Sequence, residues 1–198
     1  MALDPAKKVE AKRTPVTPDE LRTILLAGHA LALGADIPSD NRIGMAWAQV
    51  NLETARTTAA WNFNWGNIIP GSSWAGNWQV LPGLPSSEPQ EYRAYSTAEE
   101  GAADYWRVVA RMDRKRSGAI LKAFDMGDAA TAAAELRAAG YYTAPLARYQ
   151  KTLTALFDEY RSELGAPAPQ VSAVRRGAVV VIVVSALAVA GAMLLRVG

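Results

Sequence analysis

Residues 61–92 interrupt an otherwise helical pattern, and this interruption constrains the fold more than any other feature of the chain. The stretch carries Pro70, Pro82, Pro85 and Pro89 together with Gly66, Gly71, Gly76 and Gly83. Proline removes a backbone donor and glycine removes a conformational restraint, so long regular elements do not survive there. Short apolar pairs between these breakers predict a loop-rich or short-strand lobe. On both sides, apolar residues return at helical spacing. The expected architecture is mainly α, with one irregular lobe inserted after the second helix and no internal repeat.

The helices are legible from their ends. Thr17, Pro18 and Glu20 supply a cap, a proline at the first helical position and a capping-box acid. They predict a helix to about Leu33, stopped by Gly34. A second helix starts near Ser39 or Asp40, with Ile43, Trp47, Val50 and Thr54 on its inner face and Glu53 near its end, on the side of Ala46 and Gln49. Thr97 and Glu100 open a third, with Ala102, Tyr105, Trp106 and Val109 buried, running to about Arg116. A short helix follows from Ser117 to Phe124. Asp128 caps another that ends before Gly140. Pro145 opens the last, with Tyr149, Leu153, Leu156 and Tyr160 along one face.

Residues 1–16 are charged and hold Pro5 and Pro15, which predicts a flexible amino-terminal arm. The helical domain is expected over 17–164, followed by a Pro/Ala-rich linker at 165–176. Gly177 to Leu195 contains nineteen residues without a charge, flanked by Arg175, Arg176 and Arg196. A bilayer core needs about 20 apolar residues as a helix, so 177–196 is expected to be a transmembrane helix. The opening "MALDPAKKVEAKR" lacks the apolar core of a signal peptide. Together these predict a single-pass, carboxy-terminally anchored protein with a lipid bilayer as one partner.

Composition removes several chemistries. There is no cysteine, so thiolate catalysis and disulfides are excluded, and His29 is the only histidine. A Ser-His-Asp triad would have to be built on His29, and a His-rich metal site is impossible. No metal and no cofactor are expected. The net charge of +2 gives no general pull toward nucleic acid. The run from Arg111 to Arg116 reads as a solvated helix end.

Trp61, Trp65, Trp74 and Trp78 all fall within the irregular lobe, beside Asn62, Asn64, Asn67, Asn77 and Gln79. These aromatics either fill a small core or wall a cleft for sugar rings, with the amides meeting hydroxyl groups. Trp61 and Trp65 are expected nearest the cleft. Glu53 either caps a helix end or pairs with Arg56, or it works as an acid. A helix C-terminus and aromatic neighbours both resist ionisation of a carboxyl, which is what a general acid for glycosidic cleavage requires.

The stretch "MAWAQVNLETARTTAAWNFNWGNI" resembles the core of the bacterial glucosaminidase, or flagellar-type peptidoglycan hydrolase, family in the lysozyme-like superfamily, which carries "ALAQxALETGWG…NNLFGI". "EYRAYSTAEEGAADYWRVV" is similar to that family's "FRxYxSxxESxxDYxxLL", and "GDAATAAAELRAAGYYTAPLARYQKTL" to its "ALxxAGYATDPxYAxKL". The resemblance spans Ile43 to Phe157. It implies a lysozyme-like helical domain with a small loop and short-strand lobe that cuts β-1,4 bonds of peptidoglycan. Glu53 then matches the catalytic acid. Tyr141, Tyr142 and Thr143 match the "GYAT" motif lining the cleft, and Trp61, Asn64 and Trp65 join them in substrate binding. Two departures stand out. The family's "GWG" is Ala55-Arg56-Thr57 here, and its "ATDP" aspartate is Ala144.

No motif fixes a second carboxylate. Glu88 and Glu91 sit where one would fall, with Glu91 the better candidate. A retaining enzyme needs two carboxyls about 5–5.5 Å apart, an inverting one about 6.5–9.5 Å. Without either, Glu53 acts alone, on water or on the muramyl 6-hydroxyl as in a lytic transglycosylase. A non-catalytic murein-binding tether and a purely membrane-active, holin-like protein remain as other readings. An enzyme for the wall, without an export signal and with a tail anchor, suits a virus particle that carries it there, on a virion membrane or capsid. Virion proteins or a wall-spanning assembly would then be partners.

Overall fold

Six α-helices, a one-turn 3-10 helix (Pro5–Lys7) and one two-stranded sheet occur in the described part of the computed structural model, residues 3–34, 36–81 and 89–164. The helices are α1 (Pro18–Leu33), α2 (Asp40–Glu53), α3 (Ala98–Lys115), α4 (Ala119–Met126), α5 (Ala129–Ala138) and α6 (Leu146–Glu163). β1 (Trp78–Leu81) and β2 (Gln90–Arg93) pair antiparallel, with Trp78 opposite Arg93 and Leu81 opposite Gln90. The mainly helical architecture with an inserted lobe is thus the one expected. The linker, the proposed transmembrane helix and Glu88 lie outside the described residues. Among the described residues, no helix is long and apolar enough to cross a membrane.

The ends form as the sequence predicts. Thr17 and Glu20 make a reciprocal capping box at the start of α1, and Ser39 caps α2 by accepting from the Arg42 N–H. α2 is the central element. Ile43 through Asn51 are all buried, so the helix is covered on every side. α1 lies against α3, and α6 lies against α2. Close approach of α1 to α3 depends on Gly28, where an added Cβ would stand 2.4 Å from the Ala102 Cβ. Tyr160 of α6 clamps three helices. Its hydroxyl donates to Asp40 Oδ1 at 2.7 Å and accepts from Arg22 Nε at 2.9 Å.

The amino-terminal segment does not stand free as an arm. Val9 N–H donates to the Trp78 carbonyl, Thr14 N–H to the Ala60 carbonyl and Asn62 N–H to the Lys12 carbonyl. The Arg13 guanidinium covers the Trp61 ring at 4.8 Å. The irregular lobe leaves backbone groups unpaired, and this segment satisfies several of them.

Candidate active site

Glu53 is the last residue of α2 and is half-buried as a residue. Tyr149, in the first turn of α6, donates its hydroxyl to Glu53 Oε1 at 2.9 Å. Asn67 of the lobe donates its amide to the Glu53 backbone carbonyl. Burial holds the Glu53 carboxyl above the usual carboxylate range, while the Tyr149 and Asn67 side chains pull the other way. Desolvation wins, so the protonated form persists to higher pH than in an exposed glutamate. The sequence anticipates that direction. The alternative pairing with Arg56 does not occur, because the Arg56 guanidinium binds Glu159 of α6.

Tyrosines surround the acid. Tyr105 of α3 is fully buried and donates to Gln49 Oε1 at 2.7 Å. Tyr141, just after α5, donates to the Gly66 carbonyl at 3.1 Å. Tyr142 donates to the Ala133 carbonyl at 2.8 Å, and its ring stacks on Tyr149 with centroids 3.6 Å apart and planes 6° apart. Burial, with the Glu53 charge adding, pushes the Tyr105, Tyr141 and Tyr149 hydroxyls well above their ordinary value. These phenols stay neutral and act as donors.

The turn after Glu53 is built without glycine. Ala55, Arg56 and Thr57 have φ of 47°, 57° and 63°, a left-handed conformation that side chains resist. Thr57 is held there because its N–H donates to Thr54 Oγ1 at 3.1 Å and its hydroxyl donates to the Val16 carbonyl at 2.8 Å.

The structure gathers some expected site residues and disperses others. Tyr141 and Tyr142 stand close enough to Glu53 to feel its charge. Thr143 is exposed and bonds to none of them. Trp65 is fully buried, with its indole N–H donated to the Ala98 carbonyl at 2.9 Å. It is a core side chain, which corrects its expected place in a glycan wall. Asn64 is buried as well. Its amide donates to the Ile68 and Arg93 carbonyls at 2.9 Å, and its oxygen accepts the Ile68 N–H at 2.8 Å. With donors and acceptor both engaged, Asn64 serves the lobe's backbone rather than a sugar. Trp61 is half-buried under Arg13. Glu91 is exposed on β2 opposite Val80 and bonds to no residue of the Glu53 cluster.

Sequence reasoning placed Gln49 on the side of α2 that carries Glu53, but it missed Tyr149 and Tyr105 as neighbours of the acid. The helical spacing marks Tyr149 and Tyr105 only as residues of a buried face. A signal existed on α2: Gln49 stands one turn before Glu53, inside the run from Ile43 to Asn51 that is buried throughout.

Two cavities lie near but not on this cluster. One of about 520 Å³ is lined by Leu31, Trp74, Tyr95, Glu100 and Arg107. At 100° per residue, Glu100, Ala103 and Arg107 face away from Tyr105 on α3, so the α3 side chains that line this cavity are not the one that faces Glu53. The other, about 400 Å³, sits between Leu52, Arg56 and Glu159. Among the described residues, no three His, Cys, Asp or Glu side chains gather to hold a metal.

A central buried helix ending in an acid, beside a two-stranded lobe, is consistent with the lysozyme-like fold expected from the sequence. Comparison with solved structures agrees with that fold. The chain is 22% identical to a peptidoglycan hydrolase from Sphingomonas sp. A1, with a TM-score of 0.55 over 78% of this chain and 99% of that one. It is 21% identical to the glycoside hydrolase domain of Salmonella typhimurium FlgJ, with a TM-score of 0.52 over 76% of this chain and 92% of that one. No family model and no curated protein matches the sequence.

Proposed function

We propose that this chain is a peptidoglycan hydrolase cleaving β-1,4 glycosidic bonds of the glycan strand, with Glu53 as general acid. One observation carries the reading. In a fold shared with a peptidoglycan hydrolase and a glycoside hydrolase domain, the carboxyl at the end of the central helix is desolvated and held by a neutral phenol. A protonated carboxyl delivers its proton to the leaving glycosidic oxygen, and its anion then accepts one from the attacking group. Tyr149 stabilises the anion left behind, so it assists the first half of that cycle, the delivery of the proton.

Among the described residues no second carboxylate bonds into the cluster, and Glu88 lies outside them. Two outcomes fit a lone acid. Water attacks to give a reducing end, or the muramyl 6-hydroxyl attacks to give a 1,6-anhydro end. In this reading the nineteen charge-free residues from Gly177 to Leu195 anchor the enzyme to a bilayer, where it opens the wall locally, as a virus entering a cell requires.

Mass spectrometry of murein digested by the wild type and by Glu53→Gln tests the proposal. The wild type releases glycan fragments, and the chemistry of their new ends names the bond and the attacking group. Glu53→Gln releases none. Equal release by both proteins removes Glu53 from the mechanism. Binding without release by the wild type leaves a murein tether instead of an enzyme.

A further inference from the structure

Gln49 sits one turn before Glu53 on α2 and is completely buried. Its two polar atoms have unequal surroundings. Oε1 accepts the Tyr105 hydroxyl at 2.7 Å. Nε2 is buried with no acceptor at hydrogen-bond distance, yet it faces the Tyr149 oxygen closely enough to favour negative charge there. A leucine or methionine would fill the same volume without stranding a polar nitrogen, and stranded polar groups destabilise a core. The orientation therefore calls for a reason beyond packing.

The direction of the bonds supplies one. A phenol carries one proton, so Tyr105 can present that proton to Gln49 only if the amide oxygen turns toward it. The amide NH₂ then points to Tyr149. Tyr149, meeting a donor on that side, turns its own proton toward Glu53 Oε1, where the bond is 2.9 Å. Catalytic hydrogen bonds are often long in an unliganded site and tighten with substrate, which suits the gap at Nε2.

Resting on the reading of Glu53 as the acid, we propose that Tyr105, Gln49 and Tyr149 form a one-way hydrogen-bond relay. It fixes Tyr149 as a donor to Glu53 Oε1, so that the transferable proton is carried by Oε2. Gln49 and Tyr105 are positioning residues, since neither touches the carboxyl directly. The titratable groups facing Glu53 are Tyr105 from α3, Tyr141 and Tyr142 from the connection after α5, and Tyr149 from α6. All four are phenols held neutral, so the polarity of the relay, rather than a neighbouring charge, sets where the proton rests.

The test uses the full-length chain with carbon-13-labelled glutamate, following the Glu53 carboxyl by NMR as pH is varied. That readout needs no turnover, so it stays informative even if no glycan is cut. Gln49→Met keeps the volume and removes both polar atoms. Tyr105→Phe removes only the group that orients Gln49, and it serves if the first variant folds poorly. Both are expected to move the Glu53 titration to higher pH. In a Tyr149→Phe background, Gln49→Met is expected to add nothing, because the relay reaches Glu53 only through Tyr149. For glycan cleavage, Gln49→Met is expected to lower kcat about tenfold, the weight of one lost hydrogen bond, with KM within about twofold. An unchanged Glu53 titration in Gln49→Met overturns the relay. So does a shift that adds in full to that of Tyr149→Phe.

Discussion

His29, the only histidine, is the one residue on which a histidine-based triad could have been built, and the structure instead gives it a liability that can be measured. It lies on α1, 3% exposed, edge-on to Trp106 with ring centroids 5.0 Å apart. Neither ring nitrogen has a hydrogen-bond partner. Burial, helped by the Arg42 charge and opposed by Asp125 and Asp36, pushes the imidazole down to about 4. The unfolded chain takes up its proton near 6.5, so in this range the unfolded state binds more protons. Stability from this group is therefore complete above about 6.5 and falls as pH drops through about 4. At about 1.36 kcal/mol for each pH unit between those values, the loss is at most about 3 kcal/mol, and solvent relaxation reduces it to about 2 kcal/mol.

His29→Leu removes both the protonation and the stranded nitrogens. Urea unfolding of the two proteins at pH 7, 5.5 and 4.5 isolates the effect, because they share every carboxylate that titrates in the same range. At pH 7 the variant is expected to be more stable by about 1 kcal/mol, the low end of the penalty for a buried unpaired polar group. By pH 4.5 the gap should widen to about 3 kcal/mol. With a urea dependence of about 1–3 kcal/mol per molar, the wild-type midpoint falls by an additional ~1 M relative to the variant. Parallel pH profiles for the two proteins would refute the argument, since they would show that His29 protonates as readily folded as unfolded.

Tyr149→Phe removes the 2.9 Å bond to Glu53 Oε1, a charge-assisted bond of about 1.5–3 kcal/mol that favours the anion. The alkaline limb of the murein-cleavage profile should move to higher pH, by one unit for each ~1.36 kcal/mol lost; a limb that stays put or moves down removes Tyr149 from the acid's surroundings. Gly101→Ala places a Cβ 1.9 Å from the Phe63 carbonyl oxygen, where backbone on both sides cannot yield. The cost is about 3 kcal/mol, read as a Tm roughly 6–12 °C lower, and an unchanged Tm would mean the lobe does not rest on α3 there. Ala55→Gly relieves a left-handed residue at φ 47° that is exposed. The relief of about 1–2 kcal/mol exceeds the ~0.5–1 kcal/mol of added chain entropy, so Tm should rise slightly; a fall would show that the turn is not strained.

The helices were legible because each carries its own signals. Thr17 with Glu20, Ser39, Thr97 and Asp128 cap where they stand, and a cap acts within three residues of its own position. Glu53 was legible for the same local reason, as the last residue of a patterned helix. The lobe's amides were not. Asn64 and Gln79 have the side chains a sugar site would use, but the same donors and acceptors satisfy irregular backbone. Gln79 donates to the Trp61 carbonyl at 2.9 Å, just as Asn64 donates to Ile68 and Arg93. A sequence shows that an amide is present; it does not show how much unpaired backbone lies within reach. Where strands are as short as β1 and β2, that demand is high, and it claims the amides before any ligand does.

The acid's partners were hidden by the opposite circumstance. Tyr105 and Tyr149 occupy positions on α3 and α6 whose spacing marks them as core, and their rings are indeed buried. Only the phenolic oxygens matter to Glu53, and a hydrophobic pattern records the ring and not the oxygen. The sequence separation from Gln49 to Tyr149 spans about two-thirds of the helical domain, so the cluster exists only once α2, α3 and α6 are packed. This coupling has a consequence for chemistry. A carboxyl whose protonation is set by burial and by neutral donors depends on how tightly those helices close. Loosening the α2–α6 contact, for instance at Gly44, where Tyr160 and Phe157 press against the backbone, should therefore change the pH dependence of cleavage before it abolishes folding.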